Sequence, residues 1–294
     1  MSSKQVQVSS LRFGRGAPVV RFLATGAGLT MVAWGLGFVV TRIGAPATGE
    51  LSLDQFLARH RSGPLSELSL LIEVLLGVSV APMVLISVAA LVTYVRHWVA
   101  AVLMVVVTGA GWVAGAIGKI LVHRSRPPGD ALHALVSETG MDSYPSGHTA
   151  FAAGLLASAV LIAYIYGRSP LRTAVAGLPG LLVVGLSRMY LGVHYIADVV
   201  GSCLVVAAST LLLIGTYNAG WRWLKRSPKP EVSPSVESVA VTGGVQGAGT
   251  VDVDHRAGPE EVEGSAHSVP VEAGSGHVAT LLNMLEGEDA DTGR

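Results

Sequence analysis

Cysteine is all but missing from this chain. Of its 294 residues only Cys203 is a cysteine, which excludes an intrachain disulfide framework and a cysteine zinc cluster. Charge is scarce as well, at 14%, where soluble domains carry about 25%. Aromatic residues make up 6%. There is no internal repeat, no Walker loop, no GxGxxG and no HExxH. What fills the space is apolar: half the residues are hydrophobic, and the mean hydropathy is +0.54. That excludes a chain disordered throughout and argues against an ordinary soluble enzyme. The zero net charge conceals two unlike parts. Residues 1–226 hold 17 basic and 8 acidic side chains, and residues 227–294 hold 3 and 12. A basic apolar body precedes an acidic tail.

About 20 mostly apolar residues cross a bilayer as a helix. Five charge-free runs approach that length: Phe22–Val40, Val74–Val95, Trp98–Gly118, Thr149–Gly167 and Val199–Asn218. A sixth, Thr173–Ser187, continues past Arg188 through Met189–Val193. The expected fold is therefore all-α, a six-transmembrane helical bundle over residues 21–226. Residues 1–20 form an N-terminal arm. The tail, 227–294, rich in Gly, Pro, Ser and Glu, is expected to be disordered. Val278–Leu285 within it forms a weak amphipathic turn that suits either a frayed tail end or a docking segment for a protein partner. The first run exceeds the h-region of a cleavable signal, and Pro82 is expected to kink the second span.

Six spans put both termini on one side. With the N-terminus inside, the cytoplasmic face holds Lys4, Arg12, Arg15, Arg21, Arg96, Arg168, Arg172, Arg222, Lys225 and Arg226. The opposite face holds Arg42, Arg59, Arg61, Lys119, Arg124, Arg126 and Arg188, three of which chemistry requires. Positive charge marks the inside, so both termini are placed in the cytoplasm of a multi-pass cell-membrane protein.

Ionisable residues at membrane depth are costly and usually functional. Three clusters stand out: Lys119 to Arg126-Pro127, Tyr144-Pro145-Ser146-Gly147-His148, and Ser187-Arg188 to His194 and Asp198. All lie in odd-numbered connections, hence on one face, the extracytoplasmic one. Lys119, Arg126 and Arg188 supply fixed cations, and the planar fork of arginine matches phosphate oxygens. Ser146 adds a hydroxyl, and Gly147 admits close approach of an anion to the start of the fourth span. His194 and Asp198, at i and i+4, share a helix face. The carboxylate fixes the imidazole tautomer and makes the other ring nitrogen a better nucleophile. His148 can donate a proton to a leaving oxygen. The set fits phosphoryl transfer through a phosphohistidine.

These segments resemble the three signature motifs of the type 2 phosphatidic acid phosphatase (PAP2) superfamily of lipid phosphate phosphatases: K-x6-R-P, P-S-G-H and S-R-x5-H-x3-D. Every defined position matches, in order. The resemblance implies that Lys119, Arg126, Ser146, Gly147 and Arg188 bind phosphate, that His148 is the general acid, and that His194 is the nucleophile with Asp198 as its partner. It also implies a metal-independent hydrolase without cofactor. Its substrate would be a membrane lipid: phosphatidic acid, phosphatidylglycerol phosphate, or a polyprenyl diphosphate such as undecaprenyl diphosphate. No nucleic-acid partner is expected. A lipid phosphotransferase, a vanadate-dependent haloperoxidase, or a non-catalytic scaffold or transporter subunit are the competing readings.

Outside the motifs the expectations are plainer. Arg124, in the variable stretch, reads as a solvated surface charge. Glu73 either lines a polar cavity or sits near the headgroups, the second being favoured. His123 reads as a surface residue. Trp34, Trp98, Trp112, Trp221 and Trp223 suit interface belts or helix packing, Cys203 suits the core, and Gly109, Gly111 and Gly115 suit close helix contacts.

Overall fold

The computed structural model describes residues 19–95 and 97–226, without the side chains of Lys225 and Arg226. The N-terminal arm, Arg96, the acidic tail and the Val278–Leu285 turn lie outside the described residues. Among the described residues every regular element is a helix: α1 Val19–Ile43, α2 Ala45–Thr48, α3 Glu50–Arg59, α4 Gly63–Leu76, α5 Ala81–Tyr94, α6 Trp98–Val122, α7 Gly129–Leu132, α8 Gly147–Ile165, α9 Pro170–Leu191 and α10 Ile196–Arg226.

Five of these, α1, α6, α8, α9 and α10, are each long and apolar enough to cross a membrane. The chain is a multi-pass membrane protein. The run ending in Met189–Val193 is a full span, because α9 reaches Leu191. At 1.5 Å per residue its 22 residues cover about 33 Å. Exposed Val, Leu and Ile line the outer faces of the bundle, as a helix in lipid requires.

The second span departs from expectation. It is not one kinked helix over Val74–Val95. The chain breaks at residues 77–80, and α4 meets α5 at 74°. Pro82 lies in the first turn of α5, where its missing N–H costs nothing. Gly77 is extended, and the sixth span exists only as the bent pair. α4 keeps both its ends beside the last turn of α9. The backbone N–H of Ser62 donates to the Tyr190 hydroxyl at 2.6 Å, and Glu73 pairs with Arg188. α4 therefore runs across one end of the bundle before the chain turns into α5.

The long helices pack α1 on α10, α6 on α8 and α10, and α8 on α9. Glycine allows the closest approaches. The fully buried ring of Tyr144 is wedged between α1 and α10, against Gly37 and Gly201, where a Cβ on either would overlap it. The Tyr144 hydroxyl donates to the carbonyl of Ala33, so the loop before α8 is tied to both helices. Gly111 lies against Val206, and Gly115 against Ala150, whereas Gly109 faces open space. The Gly111/Gly115 pair is thus the packing one. Trp112 meets Phe151 edge-on at 6.0 Å, whereas Trp98 is exposed. Cys203 is half-buried.

Filling a packed site costs about 1–3 kcal/mol, sometimes more. Gly201→Ala is therefore expected to lower the melting temperature of the detergent-solubilised protein, by displacing Tyr144. Gly109→Ala, open and helical, should hold or raise it. Equal melting of the two variants would remove the wedge argument.

Candidate active site

The three clusters converge at one end of the bundle. The C-terminal ends of α6 and α9 meet the N-terminal ends of α8 and α10 there, with the loop of residues 123–146 folded over them. This loop is anchored by backbone bonds of Ser143 to Arg124 and of Ser146 to Asp198. Arg61 further ties the α3–α4 connection to it, donating to the carbonyls of Tyr190, Leu132 and His133.

His194 sits between α9 and α10, after the left-handed Gly192 that ends α9. It is almost wholly buried, and Asp198 wholly so. Nδ1 lies 3.4 Å from Asp198 Oδ2. Nε2 lies 3.4 Å from the Arg126 guanidinium. An arginine N–H can only donate, so the neutral ring presents its Nε2 lone pair to the cations and its Nδ1 proton to Asp198. Burial pushes the imidazole well below its usual pKa. Asp198 opposes that shift, while Arg126 and Arg188 reinforce it. The same Asp198 Oδ2 accepts from Ser143 Oγ at 2.6 Å and from the Tyr195 N–H at 2.9 Å.

The expected phosphate cations are all present, and carboxylates hold each of them. Arg188, fully buried, pairs with Glu73 and lies 3.4 Å from Glu138. Arg126 pairs with Glu138, and with Asp142 through two bonds of 2.9 and 3.2 Å. Lys119 donates to the Asp142 carbonyl. The Arg126 bonds, with Lys119 adding to them, hold the Asp142 carboxyl down at about 2. Three cations and three carboxylates thus share one site. Glu73 is not merely near headgroups, as the sequence favoured: its carboxylate is on Arg188 and its carbonyl accepts from His148 Nε2 at 3.2 Å. Ser146 caps α8, where its Oγ accepts from Thr149 Oγ1 at 3.1 Å, and Gly147 begins that helix. Beside the clamp a cavity of about 530 Å³ is lined by Arg126, Glu138, His133 and Gly192 among others.

Arg124 corrects the sequence reading. It is buried rather than solvated, with one guanidinium nitrogen on Glu50 and another 2.6 Å from Asp198 Oδ1. Its guanidinium carbon lies 4.5 Å over the Tyr195 ring, a stacking cation–π geometry. Burial works to lower its pKa, but Asp198 and Glu50 outweigh that and hold it raised. His123, as expected, is exposed. The sequence alone does not mark Ser143, Glu50, Asp54, Glu138 or Asp142. None sits in a recognisable pattern, and Glu50 is 74 positions from the arginine it binds.

Asp54 is 1% exposed, and neither carboxylate oxygen has a hydrogen-bond partner. Burial, with Asp198 and Glu50 adding repulsion, raises its pKa to about 8. The folded protein therefore holds this proton where the unfolded chain, near 3.8, releases it. The resulting stability is full below pH 4 and is lost as pH rises toward 8. Asp54→Asn removes the dependence. The variant should melt above the wild type at pH 8, by a margin that vanishes near pH 4. A margin independent of pH would mean Asp54 is not protonated when folded.

The family model described as PAP2 superfamily matches residues 98–222, from α6 into α10. A solved structure, titled as the first transmembrane PAP2 type phosphatidylglycerolphosphate phosphatase from Bacillus subtilis, superposes with a TM-score of 0.50 at 23% identity. The match covers 69% of this chain and 98% of that one. Among curated proteins none matches the chain.

Proposed function

We propose that this chain, a PAP2-superfamily membrane protein over residues 98–222, is a phosphatase that removes the terminal phosphate of a lipid through a phosphohistidine on His194. One observation carries the reading. A buried neutral histidine turns an Nε2 lone pair toward Arg126, beside Arg188 and Lys119, while a fixed carboxylate holds its other nitrogen.

The chemistry balances without an added group. His194 Nε2 attacks phosphorus while the bond to the lipid oxygen breaks, and His148, entering the cycle as the imidazolium, gives that oxygen its proton and becomes neutral. Water then attacks the phosphohistidine, its proton passes to His148, and the N–P bond breaks to release inorganic phosphate. Lys119, Arg126 and Arg188 neutralise charge on the equatorial oxygens throughout. The Ser146 hydroxyl and the backbone at Gly147 contribute at the start of α8. Asp198 stabilises the histidine as charge develops on it.

A lipid is favoured by the setting of the site. The cations gather at one end of a bundle of helices long and apolar enough to cross a membrane, and α4, which holds Glu73 against Arg188 on one face, exposes Leu65, Leu68, Leu71 and Leu75 on the opposite one. A lipid whose acyl or prenyl chain stays in the surrounding bilayer would bring its headgroup to this end of the bundle. Phosphatidic acid, phosphatidylglycerol phosphate and polyprenyl diphosphate all present a terminal phosphate in this way. The charge distribution of the connections supports a site outside the cytoplasm, and the tail leaves room for a docking role apart from catalysis.

Purified protein in detergent is expected to release phosphate from phosphatidic acid or a polyprenyl diphosphate with chelator present, and His194→Ala to abolish it while leaving the fold intact. Magnesium-dependent turnover, or turnover surviving in His194→Ala, would overturn this mechanism. Vanadate, whose trigonal-bipyramidal form imitates the transition state, should inhibit. Since Glu138 competes for both arginines, Glu138→Gln should lower the inhibitory vanadate concentration about tenfold, the equivalent of 1.4 kcal/mol. An unchanged or higher value would show that Glu138 does not occupy the anion's place.

A further inference from the structure

Asp198 has two oxygens with different duties. Oδ2 collects Ser143 Oγ, the Tyr195 N–H and the His194 ring. Oδ1 is bound by Arg124 at 2.6 Å. A carboxylate near several cations can rotate or defect to a stronger donor. Arg126 is close by, 3.4 Å from the same histidine. Binding Oδ1 separately fixes the carboxylate plane, so that Oδ2 stays on Nδ1. Arg124 is itself held. Glu50 Oε2 takes its second nitrogen, and Thr48 Oγ1 donates to that same oxygen at 2.8 Å. Glu50 Oε1 accepts the Ala197 N–H at 3.0 Å, in the turn that carries Asp198. The brace thus runs from α3 to the first turn of α10, and it is buried along its length.

We propose that Arg124, braced by Glu50, is a positioning residue for phosphoryl transfer: it holds Asp198 in the orientation that sets the tautomer and basicity of His194. The proposal rests on the reading of His194 as the nucleophile. It gives α2 and α3 a purpose that their lack of motif residues conceals. The connection between the first two helical spans buries an acid beneath the reacting histidine.

The expected consequences follow from charge. The groups facing His194 are Asp198 from α10, Arg188 from α9, Arg126 and Ser143 from the covering loop, with Arg124, Glu50 and Asp54 behind Asp198. Arg124→Gln removes the cation that offsets Asp198, so the imidazolium is favoured and His194 should titrate about one pH unit higher or more. The acid limb of kcat should move the same way. kcat should fall about 10- to 100-fold, the loss seen when the partner behind a liganding histidine is removed, with KM within about threefold, since Arg124 makes no contact with the proposed phosphate cations. Arg124→Lys keeps the charge without the fork, so it should preserve the titration and recover part of kcat.

The test uses the full chain in detergent, labelled with 15N-histidine, the His194 resonance being assigned by its loss in His194→Ala. A higher His194 titration in Arg124→Gln, with kcat lowered and KM held, supports the proposal. A folded Arg124→Gln protein with wild-type titration and kcat overturns it. If Arg124→Gln does not fold, Glu50→Gln, which weakens the brace but leaves both charges of the inner pair, should lower kcat with KM held and broaden the His194 resonance. A wild-type result for it is equally fatal. Wild-type protein that releases no phosphate would sink the phosphatase reading instead, and the titration of His194 would still decide the role of Arg124.

Discussion

Charge placed at the end of an apolar bundle must be partnered, and the rest of this structure follows from that requirement. An unpaired ion away from water costs several kcal/mol, and the site holds Lys119, Arg124, Arg126 and Arg188 close together. Four carboxylates answer the clamp and the brace directly: Glu73, Glu138, Asp142 and Asp198, with Glu50 as a fifth on Arg124. The two halves of this network do different work. Arg124 is locked on both sides by buried groups that a substrate has no reason to displace. Arg126 and Arg188 share Glu138, which lies on the half-exposed loop and lines the adjoining cavity. On the proposed reading the permanent pair positions, and the exchangeable one yields to the phosphate.

The same requirement explains the helices that hydropathy does not foresee. α2 and α3, with 4 and 10 residues, are too short to span. They exist where Glu50 must reach Arg124 and Ala197. α4 likewise lies across the bundle end because Glu73 and Ser62 are held at Arg188 and Tyr190. Polar tethers, not apolar length, set the course of the chain between α1 and α5.

This marks what was legible in the sequence. The long helices and the residues from Lys119 to Asp198 were readable, since a charged cluster interrupting an apolar run stands out and its spacing matches a known motif set. The convergence of those clusters followed from counting spans. The break at residues 77–80 did not, because Val74–Val95 is uniformly apolar and proline position alone does not distinguish a kink from a helix start. Arg124 was misread for a similar reason. A charge just past an apolar helix is ordinarily solvated, and only the fold brings Glu50 and Asp198 to it from opposite directions along the chain. Ser143 sits one residue before Tyr144-Pro145-Ser146, yet a lone serine in a loop carries no signal of the acid it binds.

Asp54 shows the limit of pairing as a rule. It lies behind Asp198 with both oxygens unsatisfied, and the cation that acts on it, Arg124, is already shared by two carboxylates. Keeping its proton is the remaining way to bury it, and its raised pKa expresses that choice. Neutral Asp54 leaves Arg124 between two charges rather than three, and so leaves Asp198 more of the arginine. The brace on the proposed nucleophile therefore depends on an acid that stays uncharged, which ties the order of the site to the pH at its buried rear.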